Sequence, residues 1–146
     1  MKLYTIGFTK KSAERFFDLL DKNHIGRLLD IRLNPQGQLA GFAKKNDLSY
    51  FLSRLLDCDY YHMKMLAPTN EILSMYRDDN DWSKYATQFE GLMNERKIPN
   101  SLNRHLFEEK ICCLLCSEAN PEKCHRSLVA ERLRRYWQDI EVEHIL

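Results

Sequence analysis

Six residues able to do chemistry fall in one short stretch: Cys116, Ser117, Glu118, Cys124, His125 and Arg126. Glu118 and His125 are groups that move protons, two cysteines are thiols of tunable acidity, and Arg126 is a fixed cation with a planar fork of donors. An arginine cannot shed its proton, so a buried one needs negative charge nearby. Glu118 and Asp30 are the internal candidates for Arg126, and a ligand phosphate or carboxylate is the external one. Both remain open from the sequence.

The second informative segment is Asp30-Ile31-Arg32, which ends an apolar run at Leu28-Leu29. It leads into Leu33 to Lys45, where Pro35, Gly37 and Gly41 predict a loop rather than an element. Arg32, Lys44 and Lys45 flank Gln36, Gln38 and Phe42 in this segment. Cations, glycines and one aromatic at a strand end suit closure over a phosphate-bearing or nucleobase ligand. An ordinary solvated loop carries the same composition.

The thiols divide in the same way. Cys116 and Cys124 are small fillers, or thiolates favoured by a helix start and by His125 or Arg126. The phosphatase spacing of cysteine, five residues and arginine is absent, which argues against thiol-phosphate catalysis. Cys116, Glu118, Cys124 and His125, with His62 as a further member, are the metal-binding alternative, but their spacing matches no standard zinc pattern. No phosphate-loop or dinucleotide glycine fingerprint occurs in the chain. The expectation is therefore neither a bound metal nor a cofactor.

These residues need elements to position them. Ile111 to Cys116 reads as a strand buried on both faces. Asn120-Pro121 signals a helix start, and a helix continuous from Pro121 places Val129, Leu133, Tyr136 and Trp137 on its core side. That phase puts Arg126 inside the apolar arc, His125 at its margin, and Cys124 beside Leu128 and Glu131. Further strands are predicted over Leu3–Gly7, Leu28–Arg32, Asp59–Met65 and Ile140–Ile145. Helices are predicted from Thr9 or Ser12 to Leu20, from Asp47 through Leu55, around Ile72–Tyr76, and over Trp82–Arg96. Lys10, Lys11, Arg132, Arg134 and Arg135 read as solvated helix faces. Strands alternating with helices predict an α/β fold, a mostly parallel sheet of about five strands covered on both faces. Parallel strands bring Gly7, Asp30, Arg32, Cys116 and Glu118 to one carboxyl edge, where such folds bind ligands.

At 146 residues the chain is long enough for a single domain with a proper core. Its net charge of +1 gives no global field to attract nucleic acid, so any basic site must be local. No signal-peptide core or spanning segment is evident, and five cysteines, two of them adjacent, fit reduced thiols in a cytoplasm.

Thr5-Ile6-Gly7, Leu29-Asp30-Ile31-Arg32 followed by Pro35, Cys116-Ser117-Glu118 followed by Cys124-His125-Arg126, and the closing Val142-Glu143-His144-Ile145 together resemble the family catalogued as domain of unknown function 488. The resemblance implies a small cytoplasmic α/β protein whose motif residues converge. It implies no reaction, so the chemistry rests on the residues. Two readings follow. One is an enzyme on a small anionic or nucleotide-like substrate, with Asp30, Glu118 and His125 as acid–base groups and Arg32, Lys44, Cys116, Cys124 and Arg126 holding the ligand. The other is a non-catalytic module that binds phosphate-bearing ligands, nucleic acid included. A deep pocket holding Asp30, Glu118, His125 and Arg126 favours the first, and a flat basic surface joining Lys10, Lys44 and Lys45 the second.

Overall fold

A computed structural model describes residues 1–36 and 41–146. Gly37 and Gln38 of the expected ligand-closing loop lie outside the described residues. Strands β1 (Lys2–Gly7), β2 (Arg27–Asp30), β3 (Asp59–His62), β4 (Cys112–Cys116) and β5 (Glu141–His144) form one sheet in the order β3-β2-β4-β1-β5. Every pairing is parallel. Each strand was legible from the sequence, β3 from a stretch of mixed polarity and the others from apolar runs. Strands β1 and β2 begin one residue earlier than predicted, β2 and β3 end earlier, and β4 and β5 are trimmed where pairing stops. The order was not legible, because it depends on which strand each crossover passes.

Alternation along the strands divides the core in two. Leu3, Leu29, Cys112 and Leu114 face one layer, and Tyr4, Leu28, Cys113 and Leu115 the other. Helices α1 (Ala13–Lys22) and α2 (Lys45–Leu56) bury Phe16, Phe17, Leu20, Leu48 and Leu52 on the second face. Helices α3 (Asn70–Asp79), α4 (Trp82–Glu95), the short α5 (His105–Glu108) and α6 (His125–Tyr136) cover the first. Ser12, Thr69 and Asp81 cap α1, α3 and α4 by accepting a backbone N–H three residues on. The α5 turn had no sequence signal.

This arrangement makes β4 the switch point of the sheet. The chain leaves its neighbour β2 toward α2 on one face and leaves β4 toward α6 on the other. A crevice opens where such connections diverge.

Three local expectations are corrected. The helix after Asn120 is not continuous: Pro121–Lys123 forms a 3-10 turn, Cys124 is extended at φ −136°, ψ 141°, and α6 begins at His125. Cys124 therefore lies off the helical phase and does not sit with Leu128 and Glu131. Phe42, expected to meet a ligand, packs against Phe16 and Phe17 at centroid distances of 5.4 and 6.1 Å. Arg132 is buried, not solvated: it donates to the Ile98 carbonyl, Glu90 and Asn94, and so ties α6 to α4.

Gly7 ends β1 for a reason of space. No described glycine has a positive φ. A Cβ at position 7 would run into the Glu118 carbonyl and lie 2.6 Å from Arg126 Nη1. The neighbour it meets first is backbone and cannot swing away. Gly7→Ala is therefore expected to cost about 3 kcal/mol, the upper end of overpacking penalties. Urea unfolding of the variant beside the parent measures it.

Candidate functional site

The β1 and β4 ends and the start of α6 converge on Arg126, which is fully buried. Its guanidinium points back to the strand ends, as its place in the apolar arc predicts. Its partners differ from expectation. Nε donates to Thr5 Oγ1 at 3.1 Å, Nη1 to Cys116 Sγ at 3.3 Å and to the Glu118 carbonyl, and Nη2 to the Ala119 carbonyl at 3.2 Å. The expected pairing with the Asp30 or Glu118 carboxylate is not made. The loop curls so that its carbonyls, not its side chain, meet the cation. Burial pushes the Arg126 guanidinium pKa down from its usual value. Thr5 Oγ1, which accepts from Arg126, also shares a hydrogen bond with His144 Nδ1 at 2.6 Å. Thr5 and His144 were noted only within the family motifs and given no role at the site, because only the tertiary fold brings them to Arg126.

Asp30 is occupied elsewhere. Its Oδ1 accepts from Arg32 N and Nε, and its Oδ2 from Arg32 Nη2 at 2.7 Å and from the Tyr60 hydroxyl. With four donors on two oxygens and no exposure, Asp30 has no lone pair to offer a substrate. It positions Arg32. Burial and the Asp30 charge push the Tyr60 hydroxyl pKa well up, so Tyr60 stays a donor. Arg32 is also held by its own carbonyl, which accepts from His62 Nε2 at 2.8 Å, and by the Phe8 ring 5.3 Å from its guanidinium. Its Nη1 is the one buried side-chain polar atom with no hydrogen-bond partner among the described residues.

Arg32 lines a pocket of about 250 Å³ at the switch point, with Glu118, Lys123, Cys124 and His125 on the β4 side. Helices α3 and α4 supply Tyr76, Arg77, Trp82 and Tyr85. The Trp82 and Tyr85 rings stack at 5.1 Å and 19°, and Tyr76 leans on both. Sequence reasoning gave Tyr76, Arg77, Trp82 and Tyr85 no role at a site, since only the crossover from β3 to β4 brings these helices to this edge. Of the expected site residues, Arg32, Glu118, Cys124 and His125 share the pocket, whereas Asp30, Cys116 and Arg126 are buried away from it. Lys44 is exposed at the head of α2 and does not line it. Lys10 lines a separate depression with Lys11, Arg15 and Glu122.

The Cys116 and Cys124 sulfurs lie directly against each other, an adjacency that the sequence reading did not foresee. The extended backbone at Cys124 is what turns its side chain toward the strand end. Cys58, Cys112 and Cys113 are free and buried. Among the described residues no three His, Cys, Asp or Glu side chains gather to hold a metal ion.

With the Asp30–Arg32 and Cys116–Arg126 motifs now placed around one edge, the family can be stated. The model for the family described as domain of unknown function DUF488 matches residues 12–133. The chain belongs to the DUF488 family. Searches of curated proteins and of solved structures return no match. Within this DUF488 chain both long motifs lie inside the matched residues, whereas Thr5-Ile6-Gly7 and the closing strand lie outside them. No helix among the described residues is long and apolar enough to cross a membrane.

His125 opens α6 and carries the pH dependence of the site. One ring nitrogen, Nε2, lies 2.7 Å from the Ile31 carbonyl, which can only accept, so the proton sits on Nε2 and Nδ1 is left as an acceptor. Burial lowers the His125 pKa to about 4. The unfolded chain then takes up a proton near pH 6.5 that the folded protein refuses until about pH 4, so stability falls with pH across that window. The loss amounts to about 3 kcal/mol when complete. Urea midpoints between pH 7 and 4 should show it, and His125→Gln should flatten the decline.

Proposed function

We propose that this DUF488 protein is an enzyme acting on a small phosphate-bearing, nucleotide-like substrate held in the pocket beside Arg32. The observation that carries this reading is Arg32 Nη1, a buried cationic donor without a partner, on a residue that lines a pocket with stacked aromatic rings. An unmade hydrogen bond from a buried charged group is costly, and a ligand anion satisfies it. The bidentate Asp30 pair holds the guanidinium plane in advance, leaving one donor edge for a phosphate oxygen. Lys123 and Arg77 add positive charge at the rim, and Tyr76 and Trp82 offer aromatic surface to a base. The volume suits one nucleotide unit better than a dinucleotide.

Glu118 is the acid–base candidate, since it is exposed, lines the pocket and is not tied into the Asp30–Arg32 pair. His125 contributes an acceptor, Nδ1, and with its pKa near 4 it stays neutral at physiological pH. The nucleic-acid reading has less support, because Lys10 and Lys44 do not share this pocket with Arg32.

Titration with adenosine 5′-monophosphate, adenosine and inorganic phosphate tests the reading, with Trp82 fluorescence as the signal. The monophosphate should bind more tightly than either part. Arg32→Lys keeps the charge but loses the fork, and should weaken monophosphate binding roughly tenfold to a hundredfold while leaving adenosine unchanged. Equal affinities in parent and variant, or no binding by any mononucleotide, would contradict it.

A further inference from the structure

Arg126 presents a charge problem that the pocket does not solve. It is completely buried, yet no carboxylate lies within ion-pair distance among the described residues. Its one partner able to become an anion is Cys116 Sγ, 3.3 Å from Nη1. The Cys124 sulfur lies directly against it, so the two can form a disulfide, and in that bonded state the Cys116 sulfur is neutral and the cation is met only by carbonyl dipoles and a hydroxyl. Breaking the bond with Cys116 as the departing thiolate gives Arg126 its counter-ion. The reduced form is thus the electrostatically satisfied one, a condition that makes a disulfide easily reduced.

The two sulfurs also differ in access. Cys116 has no exposure, whereas Cys124, though 4% exposed, lies on the pocket wall. We propose that Cys116 and Cys124 are a redox-active pair that exchanges with small thiols entering the pocket, with Cys124 as the attacked sulfur and Cys116 as the leaving one. A thiolate RS⁻ attacks Cys124 Sγ. The Cys116–Cys124 bond breaks, its electron pair leaves on Cys116 beside Arg126, and Cys124 carries a mixed disulfide to R. A second RS⁻ attacks the R sulfur, RSSR departs, and Cys124 leaves as thiolate and takes a proton. Two thiols are oxidised to one disulfide and the protein disulfide is reduced. The remaining cysteines are spectators: Cys58, Cys112 and Cys113 do not line the pocket, and burial raises each of their pKa values.

The test equilibrates the full chain in glutathione redox buffers, quenches with acid, alkylates and maps the labels by mass spectrometry. Reversible loss of the Cys116–Cys124 cross-link is expected, with the other three cysteines unchanged. Cys116→Ser should trap glutathione on Cys124, and Cys124→Ser should trap none on Cys116. Arg126→Gln should lower the equilibrium constant for reduction at least tenfold. Should that variant fail to fold, thiolate absorbance of the reduced parent replaces it, with Cys116 expected to titrate below an ordinary free cysteine. Five freely alkylated thiols before reduction, a cross-link that resists every glutathione ratio, trapping on Cys116 instead of Cys124, or a Cys116 that titrates at or above the ordinary value would each overturn the proposal.

Discussion

The fully buried Arg126 guanidinium is the interaction on which the carboxyl edge depends. A cation in that position must be met on all sides, and here β1, β4 and the loop after β4 meet it with Thr5, Cys116 and the carbonyls of Glu118 and Ala119. Those bonds fix the path of the 117–119 loop over the sheet, and that path requires the bare backbone of Gly7. The same path leaves Glu118 at the pocket and turns Cys124 back to Cys116. Removing one partner from such a centre strands a buried charge, which costs more than the bond itself was worth.

A second buried arginine does a different job on the same edge of the sheet. Each guanidinium nitrogen of Arg126 has a partner, and the residue acts as a structural pin. Arg32 is clamped in plane by Asp30 and retains an unused donor. Both buried arginines sit at strand ends or helix starts on the same edge, yet only the one with spare hydrogen-bonding capacity suits a ligand. The distinction lies in the count of donors satisfied, and burial does not reveal it.

Much of this was legible in the sequence. Most strands were readable as short apolar runs, and parallel strands necessarily bring Gly7, Asp30 and Cys116 to one edge. The inward direction of Arg126 followed from its phase with Val129 and Leu133. Its partners did not follow, because they depend on the curl of a loop whose carbonyls compete with side chains. The exchange of roles between Arg126 and Arg32 was hidden because a strand-end Asp30 can pair with the arginine two residues on as easily as with one from a distant helix. Cys124 was misplaced by assuming a helix continuous from Pro121, where a 3-10 turn and one extended residue intervene. Trp82 and Arg77 carry no local sign of a site, and only the sheet order, itself unreadable, brings α3 and α4 beside β2.

The most direct measurement of the central claim is guanidinium NMR of the intact protein during titration with adenosine 5′-monophosphate. Binding at the pocket should move and sharpen the Arg32 Nη signals as the unpartnered donor gains a phosphate, while the Arg126 signals stay in place. Arg126 signals that move while Arg32 remains still would contradict the division of roles between the two arginines.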